Sequence, residues 1–331
     1  MKAKNELIVR FWGVRGSYPA PGPSTVRYGG NTPCVQVQIG STTIILDGGT
    51  GLIPLGRELV RQARQENIPV EVVLLLSHLH HDHTQGIPFF APAFIPTSRI
   101  YLFGPQLQEI HPQLALGQIM QPPYFPVRAE NLRAQLTFDI LREGQALALG
   151  QEAGGVAILP EQEMNRLDPN VIRIRWMYSY AHPSGVFHYR IEWRGRSVTY
   201  ATDTEGYILS NRRLLNFADQ TDVLIHDAQY TDEHYLGLLP GVSTTQGFGH
   251  STIGMACDTA LRCQAQRLVL FHLAPEYDDE KMDRIQVQAQ SLFVNTMVAY
   301  EGMEIHLEVA EETSNAQSDV TVPIHISSAT R

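Results

Sequence analysis

The chain has 331 residues, 43% of them hydrophobic and 18% charged, with 34 acidic against 25 basic side chains and a formal charge of −9. That composition can bury a core, and its acidic balance disfavours broad electrostatic capture of long nucleic acid, whose phosphates an acidic surface repels. No apolar run approaches the ~20 residues that span a bilayer, and no apolar stretch of the secretory kind follows the N-terminal lysines. Cys34, Cys257 and Cys263 are an odd number without CxxC spacing, so they make neither a disulfide framework nor a cysteine zinc site. The expectation is a cytoplasmic protein with reduced thiols and no membrane partner.

The first strand runs from Glu6 to Phe11, followed by a Pro- and Gly-rich loop over residues 16–33. Val35 to Ile39 alternates apolar and polar residues, the period of a half-buried strand, and Thr42 to Leu46 returns as its hairpin partner. That strand ends in Asp47-Gly48-Gly49. Leu52 to Asn67 has helical spacing. Val70 to Leu76 is a continuous apolar run, as expected of a strand buried on both faces. Residues 104–170 read as an irregular insertion containing the proline-fixed aromatic loop Met120 to Pro126. Strands resume at Ile172 to Tyr178, Phe187 to Trp193 and Ser197 to Ala201, then at Val223 to His226, Leu268 to His272 and Met303 to Val309. Helices are expected over Ser210 to Ala218, Thr252 to Ala265 and Lys281 to Phe293. This grammar implies α and β elements layered on one core, a single domain over 1–310 with a polar tail at 311–331.

Thirteen histidines stand out, and four of them lie in Ser77-His78-Leu79-His80-His81-Asp82-His83, three of these with Asp82 in the pattern HxHxDH. In an extended segment residues i and i+2 point the same way, so His78 and His80 can share one metal ion. Asp82 and His83 lie past the bend, where a helix is expected to start, and can face a second ion. Imidazole nitrogen with carboxylate oxygen suits zinc, and also manganese or iron. His182, Asp203 and His272 each stand where a buried strand opens into a loop, as His78 does, and are grouped with it for that reason. His81, flanked by these residues, is expected at the mouth of the site.

With these residues in view, the sequence resembles the metallo-β-lactamase-fold hydrolases, and within them the phosphodiesterase branch that includes tRNase Z and the cyclic phosphodiesterase of phosphonate catabolism. The resemblance runs from Phe11-Trp12-Gly13-Val14-Arg15-Gly16-Ser17 to His272. It is carried also by Tyr28-Gly29-Gly30-Asn31-Thr32, Asp47-Gly48-Gly49, HxHxDH, Tyr200-Ala201-Thr202-Asp203 and Gly249-His250-Ser251-Thr252. It implies a four-layered αββα sandwich and two divalent ions, zinc first. His78, His80 and His182 would hold one ion, and Asp82, His83 and His272 the other, with Asp203 bridging. It further implies that His250 faces the scissile phosphate. His226-Asp227 resembles a His-Glu pair of tRNase Z, with Asp in place of Glu. Asp227 is expected to orient His250, His226 to be structural, Asp47 to orient a ligand imidazole, and Asp82 to orient the attacking water or accept its proton.

The chain lacks the Gly- and Lys-rich arm with which tRNase Z grips tRNA, so a small phosphodiester such as a cyclic nucleotide is the expected substrate. Tyr124 and Phe125 are candidates for the pocket wall. A homodimer is expected from the relatives alone. The alternatives are a lactonase or thioesterase on the same fold, or a tRNA 3′-processing nuclease without the arm.

Overall fold

The computed structural model describes residues 5–106, 111–150, 155–206 and 211–309, so the expected tail at 311–331 lies outside the described residues. The first half contains β1 (Glu6–Gly13), β2 (Cys34–Ile39), β3 (Thr42–Leu46), α1 (Leu52–Glu66), β4 (Glu71–Leu75) and α2 (His81–Thr84). It continues with β5 (Arg99–Pro105), α3 (Pro112–Ile119), β6 (Gln135–Leu141), β7 (Gln145–Leu149) and β8 (Val156–Pro160). The second half contains β9 (Ile172–Ser179), β10 (Val186–Trp193), β11 (Arg196–Ala201), α4 (Arg212–Phe217), β12 (Val223–Asp227) and α5 (Asp232–Tyr235). α6 (Ile253–Arg262), β13 (Leu268–Phe271), α7 (Asp279–Leu292), β14 (Thr296–Val298) and β15 (Glu304–Glu308) complete it. Ser210, the expected first residue of the helix now seen as α4, is outside the described residues.

The strands form two mixed sheets, a seven-stranded one in the order β15-β1-β2-β3-β4-β5-β6 and an eight-stranded one in the order β14-β13-β12-β11-β10-β9-β7-β8. Side-chain alternation explains the layering. On β3 and β4, Ile44, Leu46, Val73 and Leu75 face the other sheet, while Ile45, Val72 and Leu74 face α1 and α3. On β12 and β13, Val223, Ile225, Val269 and Phe271 face inward, while Leu224, Leu268 and Leu270 meet α6 and α7. Strands covered on both faces need apolar residues at every position, which is why these runs read as continuous. Helices outside and two sheets inside give the αββα order.

Two expectations differ. β2 is buried on both faces: Gln36 and Gln38 lie under the outer layer, where Gln36 accepts from the Trp12 indole at 3.0 Å and donates to Gln38 Oε1 at 3.2 Å. Its alternation therefore marks a glutamine ladder with satisfied amides and not a solvated face. Residues 104–170, expected to be irregular, contribute α3, β6, β7 and β8. β6 and β8 are edge strands; β6 alternates between an exposed and a half-buried face, and β8 is a short apolar run, Val156 to Pro160, that is only half-buried along its length. All three cysteines are buried free thiols, and among the described residues no helix is long and apolar enough to cross a membrane.

Candidate metal centre

The carboxyl ends of β3, β4, β9, β11, β12 and β13 open at one edge of the sandwich, and every expected ligand follows one of them. Bonds between the sheets fix this edge. The amide N–H of Phe187 donates to Ser77 O at 2.8 Å, the Tyr189 hydroxyl to Leu76 O at 2.6 Å, and the Tyr200 hydroxyl to Asp47 Oδ2 at 2.7 Å. Asp47, Asp203 and His272 hold positive φ angles of 63°, 50° and 59°. Non-glycine residues pay for that conformation, which turns each chain sharply out of its strand and aims the side chain back over the sheet end.

The side chains converge in two groups. His78, His80 and His182 bring one nitrogen each within mutual reach, and Asp82, His83, Asp203 and His272 do the same with nitrogens and carboxylate oxygens. His80 Nδ1 lies 3.1 Å from His182 Nε2, and His83 Nε2 lies 3.2 Å from His272 Nε2. Imidazole nitrogens about 2.0–2.1 Å from one tetrahedral zinc stand roughly 3.3 Å apart, so both spacings fit a shared ion. Asp203 stands between the groups. Its Oδ1 is 3.3 Å from His83 Nε2, and its Oδ2 is 3.4 Å from His272, 3.7 Å from His78 and 3.8 Å from His182. Asp82 Oδ2 reaches His272 Nε2 at 3.1 Å and His83 Nε2 at 3.3 Å, and also accepts the Ser17 amide N–H at 2.8 Å. The helical turn α2 carries Asp82 and His83 into the interior, while His80 and His81 face solvent.

The outer nitrogen of four of these imidazoles has a fixed partner. His83 Nδ1 meets Asp47 Oδ2 at 2.7 Å, His272 Nδ1 meets Gln229 Oε1 at 3.0 Å, His182 Nδ1 meets Gly249 O at 3.1 Å, and His78 Nδ1 meets Ser77 Oγ at 3.0 Å. Such partners fix the tautomer and turn the inner nitrogen toward an ion. Two glycines make room. A Cβ on Gly16 would lie 2.4 Å from His272 Nδ1, and one on Gly249 would lie 2.3 Å from His182 Nδ1.

Electrostatics separate the groups. Burial lowers the imidazoles of His78, of His80 and of His182, the last to about 4, so all three are neutral with a lone pair to offer. Burial acts the same way on His83 and His272, but Asp203 and Asp82 outweigh it and both are pushed up. Burial opposes ionisation of Asp82 and Asp203, and His83 and His272 overcome it, holding both carboxyls far below the usual range. Buried carboxylates facing imidazoles thus create a demand for positive charge that a divalent ion meets. His78 Nε2 is buried without a hydrogen-bond partner, as suits a metal donor. The donor set fits two divalent cations.

Beside the groups sits a third element. His250 Nδ1 meets Asp227 Oδ2 at 2.7 Å, and the carboxylate is held by the amides of Ser251 and Gln229 through Oδ1 at 3.0 and 3.1 Å. The His250 ring stacks on His272, with centroids 4.9 Å apart and 12° between planes, and packs edge-on to His182. The shorter Asp therefore reaches the histidine. His226 is buried, with Nδ1 on its neighbour's carbonyl oxygen at 2.7 Å. Tyr124 and Phe125 are not drawn into the groups: Tyr124 is 83% exposed, and Phe125 packs edge-on to Phe89 and against the outer cluster that includes Leu79.

The residues that sequence reasoning passed over are Ser77, Tyr200, Gln229 and Glu205. The buried Glu205 carboxylate accepts the Tyr235 hydroxyl at 2.5 Å and the amides of Gly247 and Gly249 at 2.8 and 3.1 Å. Its own N–H donates to Ala181 O at 3.1 Å, so one residue clasps the loops that carry His182 and His250. Each lies one to three residues from a recognised site residue, which was the only signal available.

Comparison with known proteins agrees with this geometry. The beta-lactamase superfamily domain matches residues 42–273. The ribonuclease Z of Gemmatimonas aurantiaca is 24% identical over 94% of this chain and 99% of its own. The metallo-beta-lactamase fold protein YhfI from Bacillus subtilis superposes with a TM-score of 0.62 at 18% identity, covering 92% of this chain and all of that one. A diphosphatase from the PhnP family gives 0.60 at 17% identity, covering 92% and 100%. With its paired sheets, strand-end His/Asp groups and matched domain, the chain belongs to the beta-lactamase superfamily, as a metal-dependent hydrolase of the metallo-β-lactamase fold.

Proposed function

We propose that this protein is a phosphodiesterase working with two divalent ions, zinc first among them. His78, His80 and His182 would hold one ion and Asp82, His83 and His272 the other, with Asp203 within reach of both. The observation that carries the reading is the His250–Asp227 pair, bonded at 2.7 Å and stacked against His272, beside the seven residues assigned to the ions in this reading. Bound there, divalent ions would supply Lewis acidity toward phosphoryl oxygens and would lower the pKa of a water toward neutrality.

The chain's own residues do the rest. Asp82, held by the Ser17 amide, would orient that water by accepting a hydrogen bond from it. His250 donates its Nδ1–H to Asp227, which leaves Nε2 facing the substrate; once Nε2 has also been protonated, the imidazolium can give that proton to the departing oxygen. In its protonated form the same ring offsets charge building on the phosphoryl group. Asp227, itself fixed by two backbone amides, keeps that tautomer.

The acidic balance supports a small phosphodiester such as a cyclic nucleotide. The match to ribonuclease Z over 94% of the chain supports a second reading, RNA 3′-end cleavage. Metal-loaded protein is assayed on bis-(p-nitrophenyl) phosphate, cyclic nucleotides, a tRNA precursor with a 3′ trailer, a lactone and a thioester. Turnover of phosphodiesters is expected, and faster hydrolysis of the lactone or thioester overturns the proposal. The preference between cyclic nucleotide and precursor RNA decides between the two readings.

A further inference from the structure

Two residues before His182, Tyr180 stands 83% exposed. A two-residue step spans at most about 7 Å between Cα atoms, so Tyr180 leaves the backbone close to where His182 of the first ligand group does. It is also braced. Its centroid is 4.6 Å from that of Tyr178 at 71°, Tyr178 meets the buried Phe187 at 5.7 Å and 88°, and the Tyr178 hydroxyl donates to Ser184 O at 3.3 Å. The backbone beside it is pinned where Glu205 N–H donates to Ala181 O. Tyr178, Tyr180, Asn211 and Arg213 line an open cleft of about 220 Å³. Arg213 bonds Glu143 at 2.7 Å, but both side chains are more than half exposed, and such a surface pair yields readily to a competing anion.

We infer that this cleft is a nucleobase-stacking subsite: Tyr180 carries the base of the nucleotide joined to the scissile phosphate, with Arg213 beside it for a neighbouring phosphate. A rigid flat ring loses little freedom on stacking, and it serves any base, since every base presents a π-face. Aromatic face and guanidinium together match a nucleotide. An aliphatic acyl chain would want a deeper apolar lining. The inference rests on the phosphodiesterase reading above and names the part of the substrate that this site recognises.

The test compares thymidine 5′-(p-nitrophenyl) phosphate with methyl p-nitrophenyl phosphate, which share a leaving group but differ in the base. In Tyr180→Ala the ratio of kcat/KM for the thymidine ester over the methyl ester should fall by roughly 5- to 150-fold, the range for losing one base–aromatic stack. Tyr180→Phe and Tyr180→Trp should keep the ratio. An unchanged ratio in Tyr180→Ala overturns the subsite while leaving the phosphodiesterase reading intact. If the wild type turns over neither ester, that reading has failed and the subsite is judged by binding of thymidine 5′-monophosphate. Weaker binding to Tyr180→Ala than to wild type then supports the subsite, and equal or absent binding overturns it.

Discussion

Replacing Asp47 by Asn tests how the site is built. The carboxylate is fully buried and takes four hydrogen bonds. Oδ1 accepts the Ser77 amide at 2.7 Å, and Oδ2 accepts the Ser77 hydroxyl at 2.8 Å, the Tyr200 hydroxyl at 2.7 Å and His83 Nδ1–H at 2.7 Å. An amide must turn its NH₂ toward one of these two sets. Facing Ser77 N–H, it opposes a donor that cannot rotate. Facing the other three, it asks two hydroxyls to turn and His83 to change tautomer. One buried donor left unpaired costs ~1–3 kcal/mol, and the surviving bonds lose their charged acceptor, so Asp47→Asn should lower the unfolding free energy of metal-free protein by about 2–4 kcal/mol. Because His83 loses its fixed orientation, the affinity of the ion held with Asp82 and His272 should fall by about 10- to 100-fold. The other ion, reached only through Ser77 and His78, should weaken less. Guanidinium unfolding reads the first quantity, and chelator competition resolving two dissociation constants reads the second. Equal weakening of both ions, or unchanged metal-free stability, would refute the reasoning.

His250→Ala should keep two metals per chain while the phosphodiesterase rate falls by about 10²–10⁴, and Asp227→Asn should behave the same way by about 10- to 100-fold; elemental analysis with kinetics checks both, and metal loss in step with activity would recast His250 as a ligand. Glu205→Gln should destabilise the fold by ~1–3 kcal/mol, because the amide cannot accept from Tyr235, Gly247 and Gly249 together, and kcat should fall as His250 shifts with its loop; a denaturant curve identical to wild type counts against the clasp. His188 is fully buried on β10, and burial pushes its imidazole down to about 3. The folded protein then leaves it neutral where the unfolded chain takes a proton. Its stability is present above pH ~6.5 and is lost as pH falls toward 3, about 2 kcal/mol of it by pH 5. His188→Leu should therefore lose about 2 kcal/mol less than wild type between pH 7 and 5 in metal-free unfolding curves, and parallel curves would exclude the effect.

The sequence by itself determined what local geometry decides. His78 and His80 share a side because they are two apart in an extended segment, and α2 turns Asp82 and His83 inward within one helical turn. The continuous apolar run of β4 announced a strand covered on both faces, and the polar residues at the ends of β4, β11 and β13 announced the edge where a site opens. Only the tertiary structure decided how distant residues divide into groups. His182 lies 102 positions from His80 yet 3.1 Å from its ring nitrogen, and that closeness depends on the two sheets packing face to face. The sheets also decide that Asp203 stands within reach of both groups and that Asp227 reaches His250. Positive φ at Asp47, Asp203 and His272 carries no sequence signal, because the surrounding packing imposes it against local preference. β6 carries little signal because an edge strand buries only part of its surface, and the outer face of β2 differs from its alternation because Gln36 and Gln38 find buried partners in Trp12, in each other and in the Gly40 and Thr42 carbonyls. Periodicity reports whether a residue is polar, but whether that polar residue meets water or a buried partner is settled only when the layers close over it.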